Sequence, residues 1–136
     1  MESGQPVIQF DPYDWLPGHG ENGIKIREDR GDLYIEMSYD DLSRSGELRR
    51  ELRFTRTCCF HRSSFPGPSL LRIKFQELGT LGKMVKYPNS EAAAAWRMHF
   101  KNTRAIDHYA MWFLSANLMV QAFSESYELG DETRVS

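Results

Sequence analysis

"HYAMWFLSANLMVQAFSESYEL", residues 108–129, is the most apolar stretch of the chain, and its secondary structure decides the fold. A membrane-spanning helix needs about 20 largely apolar residues. Here Ser115, Asn117 and Gln121 interrupt the run, so a membrane span is not expected. A helix inside a globular domain and a pair of core strands remain as the two interpretations.

We favour the pair of strands for this stretch. Its halves are rich in aromatic and apolar residues and flank "SAN", where Asn117 can supply the left-handed residue of a tight turn. The second half alternates Leu118, Val120 and Ala122 on one face with Met119, Gln121, Phe123, Glu125 and Tyr127 on the other. The helix stays open, because Tyr109, Trp112 or Phe113, Ala116 and Val120 also fit a period of 3.6 residues.

Alternating patterns before this stretch predict further strands. Two alternating runs around "RGD", Arg30 to Asp32, predict a β-hairpin within residues 24–38. Residues 47–61 predict one long strand, which Arg50 and Arg56 interrupt on its apolar side at a bulge or sheet edge. "LLRIKFQEL", residues 70–78, predicts another strand, and residues 79–88 fit either a short strand or a loop.

The segment "NSEAAAAWRMHFK", residues 89–101, carries the best helix signal in the chain. Asn89 or Ser90 can cap its start, and the four alanines have the highest helix propensity. Trp96 and Phe100 share a face because they are four positions apart. The pattern predicts a helix from about Ser90 to Lys101 that packs on the sheet.

These elements predict an α+β fold, with a mainly antiparallel, curved sheet of about six strands and one helix packed on it. A length of 136 residues fits one domain. Residues 1–22 contain three prolines and predict an irregular arm packed on the domain, which itself spans residues 23–129. Residues 130–136 predict a disordered tail.

Composition restricts the function classes. A net charge of -2 gives no basic field, so nucleic acid is not an expected partner. The adjacent Cys58 and Cys59 are unsuited to bridging each other, and the N-terminus lacks the features of a secretory signal. We therefore expect a cytoplasmic protein that needs no cofactor and contacts no membrane.

The residues allow two hypotheses in which a pocket acts on or binds a small molecule. "CCFH" supplies too few ligands for zinc, but Cys59 and His61 in a cleft, with an acid such as Asp107, would suit a small cysteine enzyme. Alternatively, Trp15, Trp96 and Trp112 would line an apolar pocket of a small-molecule-binding module. Neither pattern meets the geometric requirements of a known catalytic or metal motif, and no metal ion is expected.

A protein-binding role is the hypothesis that we favour, because aromatic and arginine side chains dominate interface energetics. The alternating pattern of residues 47–57 places two arginines on an outward face, although cross-strand Glu36 and Glu51 can neutralise them there. The predicted contact residues lie in the arm and on this strand: Asp11, Tyr13, Asp14, Trp15, Arg49 and Arg53.

The order of several segments resembles that of a known group of proteins. The segments are "FDPYDWLPGHGE", "GELRRELRF", "AAAWRMHF" and the C-terminal stretch quoted above. They resemble small bacterial β-rich domains, some of which are grouped with immunity proteins of polymorphic toxin systems. This resemblance implies a cytoplasmic inhibitor that neutralises a toxin domain by binding it, and it implies no catalytic residue.

Overall fold

The structure, a computed structural model, describes residues 1–67 and 80–135. Within these ranges the chain forms ten strands and one α-helix. The strands are β1 (Val7–Phe10), β2 (Gly23–Asp29), β3 (Asp32–Asp40), β4 (Glu47–Thr55), β5 (Cys59–Ser64), β6 (Met84–Lys86), β7 (Asp107–Phe113), β8 (Leu118–Ser124), β9 (Ser126–Leu129) and β10 (Thr133–Val135); the helix is α1 (Glu91–His99). The strand predicted for residues 70–78 lies outside the described residues.

The strands form two antiparallel sheets. The first has the order β1-β6-β7-β8-β5, and the second has the order β10-β4-β3-β2, with β9 also paired to β4. The predicted α+β class with mainly antiparallel strands is confirmed. The strands divide between two sheets, whereas one sheet of about six strands was predicted.

The main core lies between the two sheets. Alternate residues of each strand point inward, so each sheet buries one face against the other. The second sheet contributes Leu33, Ile35, Met37, Leu52 and Phe54, and the first contributes Met84, Tyr109, Met111, Phe113, Leu118, Val120 and Ala122. The shared core holds the two outer strands β2 and β5 on the same side of the molecule, where they border the site described below.

Helix α1 covers the other face of the first sheet, as predicted. Ser90 caps it, because its Oγ accepts a hydrogen bond from the Ala93 N–H at 3.1 Å. The helix ends before the predicted Lys101, which adopts a positive φ of 54°. Ala92 and Ala93 are buried against Ile106 and Phe123. Among the described residues, no helix is long and apolar enough to cross a membrane.

Residues 108–129 form strands, which settles the alternative in favour of the prediction. β7 and β8 pair along their whole length, and Asn117 takes the left-handed conformation between them, with φ of 49°. Every residue of β8 is buried, because one face meets the second sheet and the other lies on the α1 side. After Glu125 the chain crosses to the second sheet, where β9 pairs with β4.

The single long strand predicted for residues 47–61 is wrong. The chain breaks at Arg56, whose φ is 49°, and β4 and β5 then belong to different sheets. The Arg56 N–H donates to Asp32 Oδ1 at 2.8 Å, which holds the break in place. Arg50 does point inward as predicted; its Nε–H donates to the Gly130 carbonyl, and its guanidinium lies over Trp15.

Both chain ends are more ordered than predicted. The arm contains β1, which pairs with β6 and so resolves the ambiguity of residues 79–88 in favour of a short strand. The predicted disordered tail forms β10 on the edge of β4. Side-chain contacts hold this tail, among them an ion pair of Arg134 with Asp41 at 2.6 Å and a hydrogen bond of 2.8 Å that the Tyr39 hydroxyl donates to Glu132.

Candidate functional site

The two predicted contact arginines lie on the outer face of the second sheet, and both are in ion pairs. Arg53 donates to Asp32 Oδ2 through Nε and Nη2, at 3.0 and 2.7 Å. Arg49 lies 3.5 Å from a carboxylate oxygen of Glu36. Because each already has a carboxylate partner on its own sheet, a partner protein would have to displace these pairs to use them.

The predicted arm residues lie elsewhere. Asp11 caps a short 3-10 helix by accepting from the Tyr13 N–H at 3.0 Å. Trp15 packs on the inward-facing Tyr39, with ring centroids 5.3 Å apart. Asp14 is exposed beside them. Since neighbouring residues of a strand point to opposite faces, the inward Tyr39 and Arg50 separate the arm from the outward arginines, and the six predicted residues do not form one surface.

A cleft of about 610 Å³ opens between the two sheets along one side of the molecule. We call it the edge cleft, and it is lined by residues 21–24, 62–64 and 115–118. One wall is the start of β2, the second is β5, and the third is the 3-10 turn between β7 and β8. β2 and β5 are the terminal strands of their sheets within the described residues, so the cleft lies between two sheet edges.

Glycine at position 20 allows the segment that precedes β2 to lie close to the 3-10 turn between β7 and β8. Gly20 has φ of 86°, and a Cβ atom there would lie 3.1 Å from Ser115 Oγ. Both the backbone conformation and the close approach favour glycine. The consequence is a hydrogen bond in which the Ser115 hydroxyl donates to Glu21 Oε1 across the bottom of the cleft.

Two opposite charges that form no ion pair with the described residues line the edge cleft. Glu21 is only 8% exposed, and within residues 1–67 and 80–135 its carboxylate receives a hydrogen bond from Ser115 alone and has no cationic neighbour in an ion pair. On the β5 wall, Arg62 is exposed, and the described part of the chain gives its guanidinium neither an ion pair nor a hydrogen bond. The cleft therefore offers a carboxylate and a guanidinium to a ligand.

Tyr13 connects the predicted arm to this cleft. Its hydroxyl lies 3.8 Å from where a Cβ atom would stand at Gly20, the residue before Glu21. Burial raises the pKa of its hydroxyl, and the negative charges of Glu21 and Asp11 raise that pKa further. Thus two of the six predicted residues, Tyr13 and Asp11, share the electrostatic environment of Glu21.

The Cys59 and His61 pair lies at a second, apolar pocket of about 460 Å³ between β5 and α1. Cys59 Sγ is 3.6 Å from His61 Nε2, but burial raises the pKa of the thiol and so opposes formation of the nucleophilic thiolate. Cys59 is aligned with Phe123 on β8, which in turn is aligned with His108 on β7, so these three side chains share one face of the sheet. Asp107 is the neighbour of His108 on β7 and therefore points to the opposite face. The structure does not assemble the hypothetical Cys-His-Asp enzyme site.

Of the three tryptophans proposed to line one pocket, only Trp96 borders this apolar pocket. Trp112 is buried in the first sheet beside Val85 and Tyr87. Trp15 packs at the end of the second sheet. The tryptophans therefore lie in three separate environments rather than around a common ligand.

A buried hydrogen-bonded chain joins Ser90, His108 and Gln121, and it superficially resembles a catalytic triad. The Gln121 amide oxygen can only accept, so His108 donates from Nε2 at 2.8 Å and accepts from Ser90 Oγ at Nδ1, also at 2.8 Å. Burial lowers the pKa of His108 to about 4. The three side chains are at most 3% exposed, so this chain holds α1 against the sheet and is closed to substrate.

Within residues 1–67 and 80–135, no group of three or more histidine, cysteine, aspartate or glutamate side chains is placed to hold a metal ion. Comparison with protein-family models, with curated proteins and with solved structures finds no match to this chain.

Sequence reasoning missed Glu21, Arg62 and Ser115, the polar residues that define the edge cleft. They come from three segments far apart in the chain, and their contact depends on how two sheets stack. Glu21 lies in "GHGEN", which predicts only a turn, and Arg62 is one of several closely spaced arginines. No local pattern separates these residues from ordinary loop and surface charges.

Proposed function

We propose that this protein is a non-enzymatic protein-binding domain of the immunity type, which neutralises a cognate bacterial toxin domain by direct binding through the edge cleft. The observation that carries the proposal is the pair of charges, Glu21 and Arg62, that face the cleft without ion-pair partners in the described chain. Complementary charges on a partner would satisfy both, and such complementarity fixes the register and specificity of protein complexes.

The surroundings of the cleft favour a protein partner. Its walls belong to strands and turns of both sheets, so the binding groups are held by the shared core. Tyr13 is 36% exposed beside it and can add aromatic contact area without a large loss of side-chain entropy. The outward Arg49 and Arg53 would then be peripheral, since their own carboxylate partners already neutralise them.

The experiment uses the purified protein as bait and compares two charge reversals. Arg62→Glu changes the cleft, and Arg30→Glu makes the same change on the hairpin turn, roughly 20 Å away along β2. A protein captured from the source cells is identified, and its affinity is measured with purified components. We expect Arg62→Glu to weaken binding by at least about tenfold, with Arg30→Glu close to the original protein.

The immunity role is tested by expressing the captured protein in a host cell, where it should arrest growth unless this chain is co-expressed. Arg62→Glu should lose the protection and Arg30→Glu should keep it. A captured protein that binds both variants equally, or that is harmless on its own, would refute the proposed role.

The apolar pocket beside α1 favours a second function, the binding of a small apolar molecule. Its volume of about 460 Å³ lies within the usual range for ligand sites, and Trp96 and Phe123 provide aromatic walls. A thermal shift with indole that is abolished by Ala95→Trp, but not by replacement of the exposed Met98 with tryptophan, would support this function. Absence of any shift at millimolar indole would reject it.

A further inference from the structure

Resting on the proposed function, the geometry points to the chemistry of the partner: we infer that the edge cleft receives a lysine or arginine side chain of the partner at Glu21, while a carboxylate of the same partner segment binds Arg62. The cleft thus recognises an extended peptide segment that carries charges of both signs.

Burial of the Glu21 carboxylate carries a free-energy cost in the free protein. A carboxylate that leaves water loses solvation that must be replaced by hydrogen bonds or by a cation. Its two oxygens can accept about four hydrogen bonds, and the described residues supply one, from Ser115. An organic cation entering the cleft would supply the missing donors and the opposite charge together.

The cation that suits the cleft is organic rather than a metal ion. The described residues bring no third acidic, histidine or cysteine ligand to Glu21, as a bound metal ion would require. Arg62 on the facing wall would also repel a bare metal ion. A peptide segment avoids this repulsion, because its own carboxylate can face Arg62 while its ammonium or guanidinium faces Glu21.

The arm side of the cleft carries negative charge. Tyr13 lies close enough for Glu21 to act on its hydroxyl, and Asp11 adds a second negative charge there. The two carboxylates on this side favour a cation. The opposite wall on β5 carries Arg62 with Ser63 and Ser64, groups that suit a carboxylate. The polarity of the cleft therefore fixes the direction of the bound segment.

The test uses defined small probes and residue-resolved NMR on the intact protein. The cationic probe is acetyl-arginine amide, the neutral probe is acetyl-glutamine amide, and the two-charge probe is acetyl-Arg-Gly-Glu amide. We expect the cationic probes to shift the amide signals of residues 20–24 and 114–118 with millimolar affinity, and the two-charge probe to bind several-fold more tightly. The neutral probe should leave these signals unchanged.

Two matched variants distinguish the effect of the Glu21 carboxylate from the effect of the overall charge of the protein. Glu21→Gln removes the charge at the cleft with little change in shape, and Glu28→Gln removes an exposed charge on β2. We expect Glu21→Gln to weaken the cationic probe by about tenfold or more and Glu28→Gln to have no effect. Equal binding of the neutral probe, or unchanged binding by Glu21→Gln, would overturn the inference.

The inference can still be tested if a variant is unstable. In that case the affinity of the original protein is measured at low and high salt, where a charge-dependent site must weaken as screening increases; salt-independent binding would overturn the inference. Failure of every cationic probe, together with capture of a toxin that depends on Arg62, would reject this inference and leave the proposed function standing.

Discussion

The charge state of His108 contributes to the loss of stability of the protein in acid. Burial lowers the pKa of this imidazole from 6.5 to about 4, although its hydrogen bond to Gln121 acts in the opposite direction. Between pH 6.5 and 4, His108 is therefore protonated in the unfolded chain and remains neutral in the folded chain. The stability from this residue is complete above pH 6.5 and is lost as the pH falls towards 4, by up to about 3 kcal/mol.

Urea unfolding near neutral pH and near pH 4.5 tests this prediction. The original protein should lose more free energy of unfolding between the two pH values than His108→Gln, which cannot titrate there. His19→Gln is the control, since it makes the same substitution at an exposed histidine outside the core. Identical losses in the original protein and His108→Gln would show that His108 does not stay neutral in the folded state.

The stability of α1 depends on its N-cap residue, and the sequence alone does not decide between two candidates for this position. Both Asn89 and Ser90 are good caps, but the structure uses Ser90, whose hydroxyl also donates to His108. Ser90→Ala should lower the free energy of unfolding by about 2 kcal/mol or more, because it removes the cap and leaves His108 Nδ1 buried without its donor. Asn89→Ala should change it by less than about 0.5 kcal/mol. Urea unfolding followed by circular dichroism measures both, and equal effects would contradict this assignment.

Elements with local signals could be predicted from the sequence, and those fixed by distant contacts could not. The hairpin of β2 and β3, helix α1 and the pair β7–β8 follow from alternation, alanine content and turn residues. The break at Arg56 depends on Asp32 and on Arg104, which donates to the Arg56 carbonyl. Pairing of the tail likewise depends on Asp41 in a remote loop.

For the molecule as a whole, the stacking of two sheets creates features that no single segment encodes. The chain changes sheets at Arg56 and again at Glu125, and Arg56 pairs with Glu125 at 2.8 Å where the two crossings meet. The edge cleft arises at the opposite ends of these strands, where Arg62 and Glu21 come together only after both sheets are in place. For this reason the cleft residues could not be proposed from the sequence.

The shared core predicts that both sheets unfold as one unit. Ile35 of the second sheet and Met111 of the first are fully buried in the same cluster, so Ile35→Ala and Met111→Ala should each lower the free energy of unfolding by about 2–5 kcal/mol. Leu42→Ala, on an exposed loop, should have little effect.

Native-state hydrogen exchange resolves the two sheets separately: amides of β3 and β8 should lose the same protection in either core variant. If Ile35→Ala exposed β3 and left β8 protected, the sheets would be separate folding units, and the edge cleft between them would not be rigid enough to recognise a partner in a fixed register.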